Sequence, residues 1–282
     1  MGFKNWELII FAMNAPRTSR YTSLTYCISV ALFFLPVLYF VEEAQLILEP
    51  PSLPDQIAET IPDFTDILDV ELKKQTFFNF MEPIVDDINA DILTQRQRVF
   101  AIRDKVSGNG ELNNSDLRYL STVTEIYEME ADDYGSLEFL NVLLRRVDKI
   151  PASLALAQAA NESAWGTSRF AQSGNNFFGQ WCYTDGCGIV PMRRLEGASH
   201  EVRRFESVRD SVESYIHNLN TFPSYQMLRR IRQQLRQQNL PVDGVSLSDG
   251  LESYSARGLD YVDELQRMIY SNNLIERDNP TL

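Results

Sequence analysis

Residues 159–181 read Ala159-Ala160-Asn161-Glu162-Ser163-Ala164-Trp165-Gly166-Thr167-Ser168-Arg169-Phe170-Ala171-Gln172-Ser173-Gly174-Asn175-Asn176-Phe177-Phe178-Gly179-Gln180-Trp181. One acid, Glu162, stands at the end of an alanine-rich helix and beside a tryptophan. A turn follows, Ser173-Gly174-Asn175-Asn176, and then an aromatic pair before Gly179. The run is nearly free of charge, so a surface ion pair is a poor account of Glu162. A carboxyl group held against apolar surface has its pKa raised and keeps its proton near neutral pH. A general acid needs that property.

Working outward, Pro151 suits the start of the helix that carries Glu162, which is expected from Ser153 to about Arg169. Alanines at 152, 155, 157, 159 and 160 let neighbouring helices approach closely. After the motif, Ile189–Leu195 and Ser199–Phe205 read as a β-hairpin around Glu196-Gly197-Ala198. Ser207-Val208-Arg209-Asp210 matches a capping box, and Val212, Tyr215, Ile216 and Leu219 mark the apolar face of the helix that follows. Phe222-Pro223 ends it. Tyr225–Gln238 reads as a basic helix, with further helices at Leu247–Tyr254 and Tyr261–Leu274. Before the motif, Phe77, Phe80, Ile84, Ile88 and Ile92 recur at helical spacing within a helix from Phe64 to about Lys105, which Pro83 starts or kinks. Asn114-Ser115-Asp116 opens a helix over Leu117–Met129, and Leu137–Val147 reads as another.

Asn-Glu-Ser-Ala-Trp-Gly followed by Gly-Asn-Asn-Phe-Phe-Gly-Gln resembles the signature of the glucosaminidase family of bacterial cell-wall hydrolases, its Bax-type members in particular. The resemblance covers Pro151 to the C-terminus and extends more weakly into the helices before it. It implies a mainly α, lysozyme-like domain with a small β-hairpin lobe, acting on peptidoglycan glycan strands without a cofactor or metal. Hydrolysis would fall at the β-1,4 bond after N-acetylglucosamine, with Glu162 protonating the leaving oxygen. Trp165 and Phe178 would stack on sugar rings, and Asn175, Asn176 and Gln180 would bind hydroxyls or the acetamide. Glu196 and Glu201 on the hairpin are the candidates for a second acid, although Arg193 and Arg194 are more basic than the family pattern suggests. A substrate acetamide can replace that second carboxylate. Tyr254 matches the family's Tyr-Ala-Thr-Asp-Pro-x-Tyr stretch in part and would line the cleft. Lytic transglycosylases and muramidases share a helical glutamate, but continue with Gly-Leu-Met-Gln where this chain has Phe178-Gly179-Gln180-Trp181. A non-catalytic wall-binding or assembly protein would keep the cleft without turnover.

Leu24–Val41 is an uncharged run of 18 residues, preceded by Arg17 and Arg20 and followed by Glu42 and Glu43. At ~1.5 Å per residue it spans roughly the hydrocarbon thickness of a bilayer. The positive flank stays in the cytoplasm, so the rest is expected in the periplasm on a single-pass inner-membrane anchor. A cleaved signal is the alternative, without an obvious small-residue cut site. The expected organisation is a cytoplasmic start over 1–23, the anchor over 24–41, a Pro-rich linker over 42–63, an acidic helical region over 64–149 and the glucosaminidase domain over 150–282. The helical region either extends the domain or inhibits it.

The net charge is -13, and residues 42–150 hold 23 acids against 10 bases. Residues 190–238 reverse the balance, with nine arginines against five acids. This pattern argues against a nucleic-acid binder and suits either a solvated arginine-rich face or contact with an anionic polymer. Cys182 and Cys187 bracket Tyr-Thr-Asp-Gly and are expected to close a small disulfide loop in an oxidising compartment. Read instead as metal thiolates, they lack two further ligands nearby.

Overall fold

A computed structural model describes residues 61–278, except 193, 195, 196 and 198. The expected anchor, most of the linker and Glu196 therefore lie outside the described residues. Among the described residues, no helix is long and apolar enough to cross a membrane. The described residues belong to one compact unit, 58–282.

The unit is built of helices. The longest is α1, Val70–Ser107, whose N-cap Asp69 accepts from Leu72 N. One face of α1 buries Phe77, Phe78, Met81, Ile84, Val85, Ile88 and Ile92, at the spacing the sequence shows. Pro83 does not start it: the helix runs through this exposed residue. Helix α2, Asn114–Ile126, opens on a capping box made by Asn113 and Asp116. Helix α3, Leu137–Arg146, is capped by Ser136.

Helix α4, Ala152–Ser163, is the centre of the unit. All residues from Ala152 to Ala160 are buried. It packs against α1 and, later in the chain, against α8 (Gly244–Ser248), α9 (Leu259–Ser271) and the 3-10 turn Leu274–Asp278. Its alanines permit this enclosure, since a small side chain lets neighbouring backbones approach.

The helix does not reach Arg169 as its composition suggests. It stops at Ser163, where Ala164, Trp165 and Gly166 take positive φ values of 51°, 59° and 75°. Ser163 fixes this reversal, because its Oγ donates to Ala159 O and accepts from Gly166 N at 2.7 Å. A side chain at Gly166 would meet the Phe64 ring at 2.4 Å. Glu162 thus stands on the last helical turn, immediately before an abrupt bend.

A short helix follows, α5, Arg169–Gly174. The expected hairpin is present as an antiparallel pair, and a third strand from the motif joins it to make a three-stranded antiparallel sheet. Strand β3, Glu201–Arg203, lies between β1, Trp181–Cys182, and β2, Gly188–Ile189. Trp181 pairs with Val202, and Gly188 with Arg203. The strands are shorter than expected, and the missed one belongs to the motif itself. Helix α6, Val208–Thr221, carries the expected Ser207–Asp210 capping box, and α7, Gln226–Gln237, is the basic helix.

Candidate active site

A cleft of about 760 Å³ opens beside the C-terminal turn of α4. Glu162 reaches it from α4, and Phe178, Gly179 and Gln180 from the turn after α5. Tyr215 and Asn218 come from α6, while Tyr225 and Tyr254 close the other side.

Glu162 is half-buried. Burial pushes its carboxyl above the ordinary range, and hydrogen bonds from Tyr261 and Asn161 pull partly back. Glu264 adds to the rise and Arg257 opposes it. The net direction is upward, which favours a carboxyl that still holds its proton as pH rises.

Its orientation is fixed by a chain of buried polar groups. Tyr215 OH donates to Gln158 Oε1 at 2.6 Å, and Gln158 Nε2 donates to Tyr261 OH at 3.0 Å. Tyr261 OH then donates to Glu162 Oε1 at 2.9 Å. Gln158 lies one helical turn before Glu162 on the same helix, so the backbone sets the spacing. The other oxygen, Oε2, faces Gly179, and lies 3.8 Å from where a side chain there would begin. Glycine at this place, with φ +65°, leaves that side of the carboxyl open.

The expected aromatic pair divides cleanly. Phe177 is in the core, and Phe178 floors the cleft, stacked on Tyr215 with centroids 3.9 Å apart. Tyr254 lines the cleft as expected, and its hydroxyl donates to Phe178 O at 3.1 Å. Its ring also stacks on Tyr261. Gln180 lines the cleft, but its amide is occupied by Ser211 O, Ser214 Oγ and Asn218 Nδ2.

Other expected residues lie elsewhere. Trp165 is set edge-on against Phe77 and Phe78 and faces a separate groove with Lys74 and Glu264. Asn175 caps α5 in the left-handed region and donates to Phe205 O and Glu206 O. Asn176 is buried, with both amide atoms spent on the backbone of Phe178, Gln180 and Arg203. These asparagines build the turn that delivers Phe178 and Gly179. Asn176 is fully spent on this turn.

Glu201 is also withdrawn from the role expected of it. It is 3% exposed, and its carboxylate accepts from Gly186 N at 3.1 Å and Gly188 N at 2.7 Å. It stabilises the small loop closed by the Cys182–Cys187 disulfide. The two sulfurs and Glu201 lie close together, but sulfurs bonded to one another are not thiolate ligands. Among the described residues lining the cleft, Glu162 is the one carboxylate.

The described arginines of 190–238 form no single face. Arg229 and Arg232 are buried and donate to backbone carbonyls, and Arg209 pairs with Asp87, Asp91 and Glu213. Among the described arginines of this stretch, Arg203 alone lines the cleft.

Sequence reasoning missed Gln158, Tyr215, Tyr225 and Tyr261, as well as the rim residues Trp181 and Tyr183. The rim aromatics are 57% and 71% exposed, and Trp181 stacks on His200. Their position just past the aromatic pair was the available signal.

The family model described as "Glucosaminidase: Mannosyl-glycoprotein endo-beta-N-acetylglucosaminidase" matches residues 142–274. The curated relative "Protein bax" of Escherichia coli (strain K12) is 30% identical over 215 residues, covering 76% of this chain and 75% of that protein. No solved structure matches the chain significantly.

Proposed function

The chain belongs to the glucosaminidase family, among Bax-like members, and from that premise we propose that it hydrolyses the β-1,4 bond after N-acetylglucosamine in peptidoglycan, with Glu162 as general acid. The observation that carries this reading is the Glu162 carboxyl at the cleft. One oxygen is held by Tyr261, and the carboxyl is tuned upward by burial. The open oxygen would give its proton to the glycosidic oxygen as the bond to the anomeric carbon breaks. Phe178, Trp181 and Tyr183 supply apolar faces along the cleft for pyranose rings.

Positive charge developing at the anomeric carbon needs a partner. Glu201 is spent on Gly186 and Gly188, which leaves Glu196 and the substrate's own acetamide as the groups for this role. In the acetamide route its oxygen attacks the anomeric carbon while Glu162 protonates the departing oxygen. Glu162 then takes a proton from water, and that water opens the ring intermediate with net retention. A water activated by Glu196 on the opposite face gives inversion. Proton NMR of the first-formed anomer separates the two.

We place the unit outside the cytoplasm. The disulfide and a wall substrate both support an oxidising, exported compartment, and the apolar run 24–41 would carry the chain there as an anchor or a signal.

The nature of the new ends tests the reaction class. Fragments with reducing N-acetylglucosamine ends support hydrolysis as proposed. Anhydro-muramic ends would assign the chain to transglycosylase chemistry and overturn the proposal.

A further inference from the structure

A second pocket, of about 190 Å³, opens between α1, α3 and α7. It shares no lining residue with the Glu162 cleft, and its Asp148 lies before the start of α4, whereas Glu162 lies near that helix's end. Five arginines line it, Arg96, Arg103, Arg145, Arg232 and Arg236, against the one acid Asp148. The chain as a whole is strongly acidic, so composition does not account for such a cluster.

Two of the arginines serve the fold. Arg96 donates to Leu144 O and Val147 O, satisfying carbonyls at the end of α3. Arg232, 1% exposed, donates to the carbonyls of Arg145, Asp148 and Lys149 and to Asn220 Oδ1. Asp148 is fully engaged. Arg236 Nη2 reaches it at 2.7 Å, with Arg96 at 3.5 Å and Arg232 at 3.8 Å. One carboxylate thus serves three guanidinium groups.

The remaining pair is under-served. Arg103 bonds Asp104, which is not part of the lining, and its Nε meets no acceptor among the described residues. Arg145 Nε is likewise buried without an acceptor among the described residues. Both Nε atoms are shielded from solvent and are not themselves open to the pocket, but the two residues line it, so an acceptor there would meet the outer Nη groups of guanidinium groups whose pairing is incomplete. The acceptor must be anionic, because the lining carries a positive excess. It should also offer several oxygens, because guanidinium forks bind such groups bidentately.

We propose that this pocket binds a phosphate-class oxyanion, either free phosphate or the phosphodiester of a lipid headgroup, through Arg103 and Arg145. The charge density of the pocket agrees with this: burial chiefly, and to a lesser extent Arg96 and Arg236, pulls Arg232 down to about 10 although Asp148 opposes the shift. A bound anion ties together α1 and α3 and stabilises the unit by mass action.

Isothermal titration of the purified full-length chain tests the site. The probes are inorganic phosphate at constant ionic strength, acetate as the carboxylate control, and dihexanoyl phosphatidylglycerol below its micelle concentration, with the phosphatidylcholine analogue as its control. Arg145→Gln and Arg103→Gln are compared with wild type, with thermal melts confirming that each is folded. Should one variant fail to fold, the other carries the test. The expected result is saturable one-to-one binding of phosphate, weakened at least tenfold in the folded variants, with wall hydrolysis unchanged. Binding of phosphatidylglycerol alone, with the same sensitivity, supports the site and identifies a lipid as its source. No saturable binding of either phosphate probe, undiminished binding in the variants, or equal binding of acetate overturns the proposal.

Discussion

Tyr261 OH lies 2.9 Å from Glu162 Oε1 and donates a hydrogen bond to it, joining two residues 99 positions apart. The bond holds one oxygen of the carboxyl and leaves the other toward Gly179. It also moderates acidity. Burial raises the Glu162 pKa, and the Tyr261 bond lowers it in part.

Tyr261→Phe removes the lowering contribution and leaves the burial. The Glu162 pKa then rises further. A general acid works while protonated, so activity is lost as pH rises through that pKa. The alkaline limb of kcat/KM is expected to move to higher pH in the variant. Buried Gln158 Nε2 also loses its acceptor, at a cost of about 1–3 kcal/mol, visible as a lower urea midpoint.

Glu162→Gln makes an opposite prediction for stability. With a folded pKa above the unfolded value near 4.3, Glu162 binds its proton more tightly in the folded state. Its contribution is full below the unfolded pKa and is lost as pH rises through the folded one. Glutamine has no such charge to bury. The variant should therefore melt higher than wild type at pH 7, and the gap should close below about pH 4. Thermal melts across that range measure it.

Asp148→Asn strikes the arginine cluster. The carboxylate is 3% exposed, and burial alone would raise its pKa, but Arg232, Arg236 and Arg96 together hold it below the ordinary range. Its contribution is present above the unfolded pKa near 3.9 and fades as pH falls through the folded value. Removing it leaves Arg232 buried without its counter-charge, at a cost of about 3–5 kcal/mol. Denaturant titration at pH 7 should show most of that loss, and acid should erode the difference between variant and wild type.

Three aromatics of the motif region should separate by readout. Trp181→Ala and Tyr183→Ala remove exposed rings at the cleft. Each is expected to raise KM several-fold, about 1 kcal/mol, with the melting temperature unchanged. Trp165→Ala instead removes the packing on Phe77 and Phe78. It should cost about 3 kcal/mol of stability, with KM little affected in the folded fraction.

Much of this was legible in the sequence because the decisive signals are local. Pro151 and the alanine run marked the start and body of the central helix, though not its end at Ser163, and Ser207 and Asp210 marked the start of α6. The backbone roles of the two asparagines are not legible locally, because an amide in a turn can face a ligand or its own backbone, and turn asparagines commonly choose the latter. Glu201 was misread because its partners, Gly186 and Gly188, are reached only through the sheet. The basic helix did contain a usable signal. Arg229, Arg232 and Arg236 recur at i, i+3 and i+7, which places them on one face, and two of the three are buried. Charged residues at core spacing read as surface until their acceptors are known. The Tyr215–Gln158–Tyr261–Glu162 chain joins three distant segments, and no local pattern announces it.

The most direct test of Glu162 as the general acid is digestion of purified peptidoglycan by wild type and Glu162→Gln, with soluble fragments reduced by borohydride and weighed by mass spectrometry. Reduced N-acetylglucosamine ends from wild type, lost by at least a thousandfold in a folded variant that still binds the wall, are the predicted result. Equal release by the two proteins, or wall binding without release by either, would contradict the account.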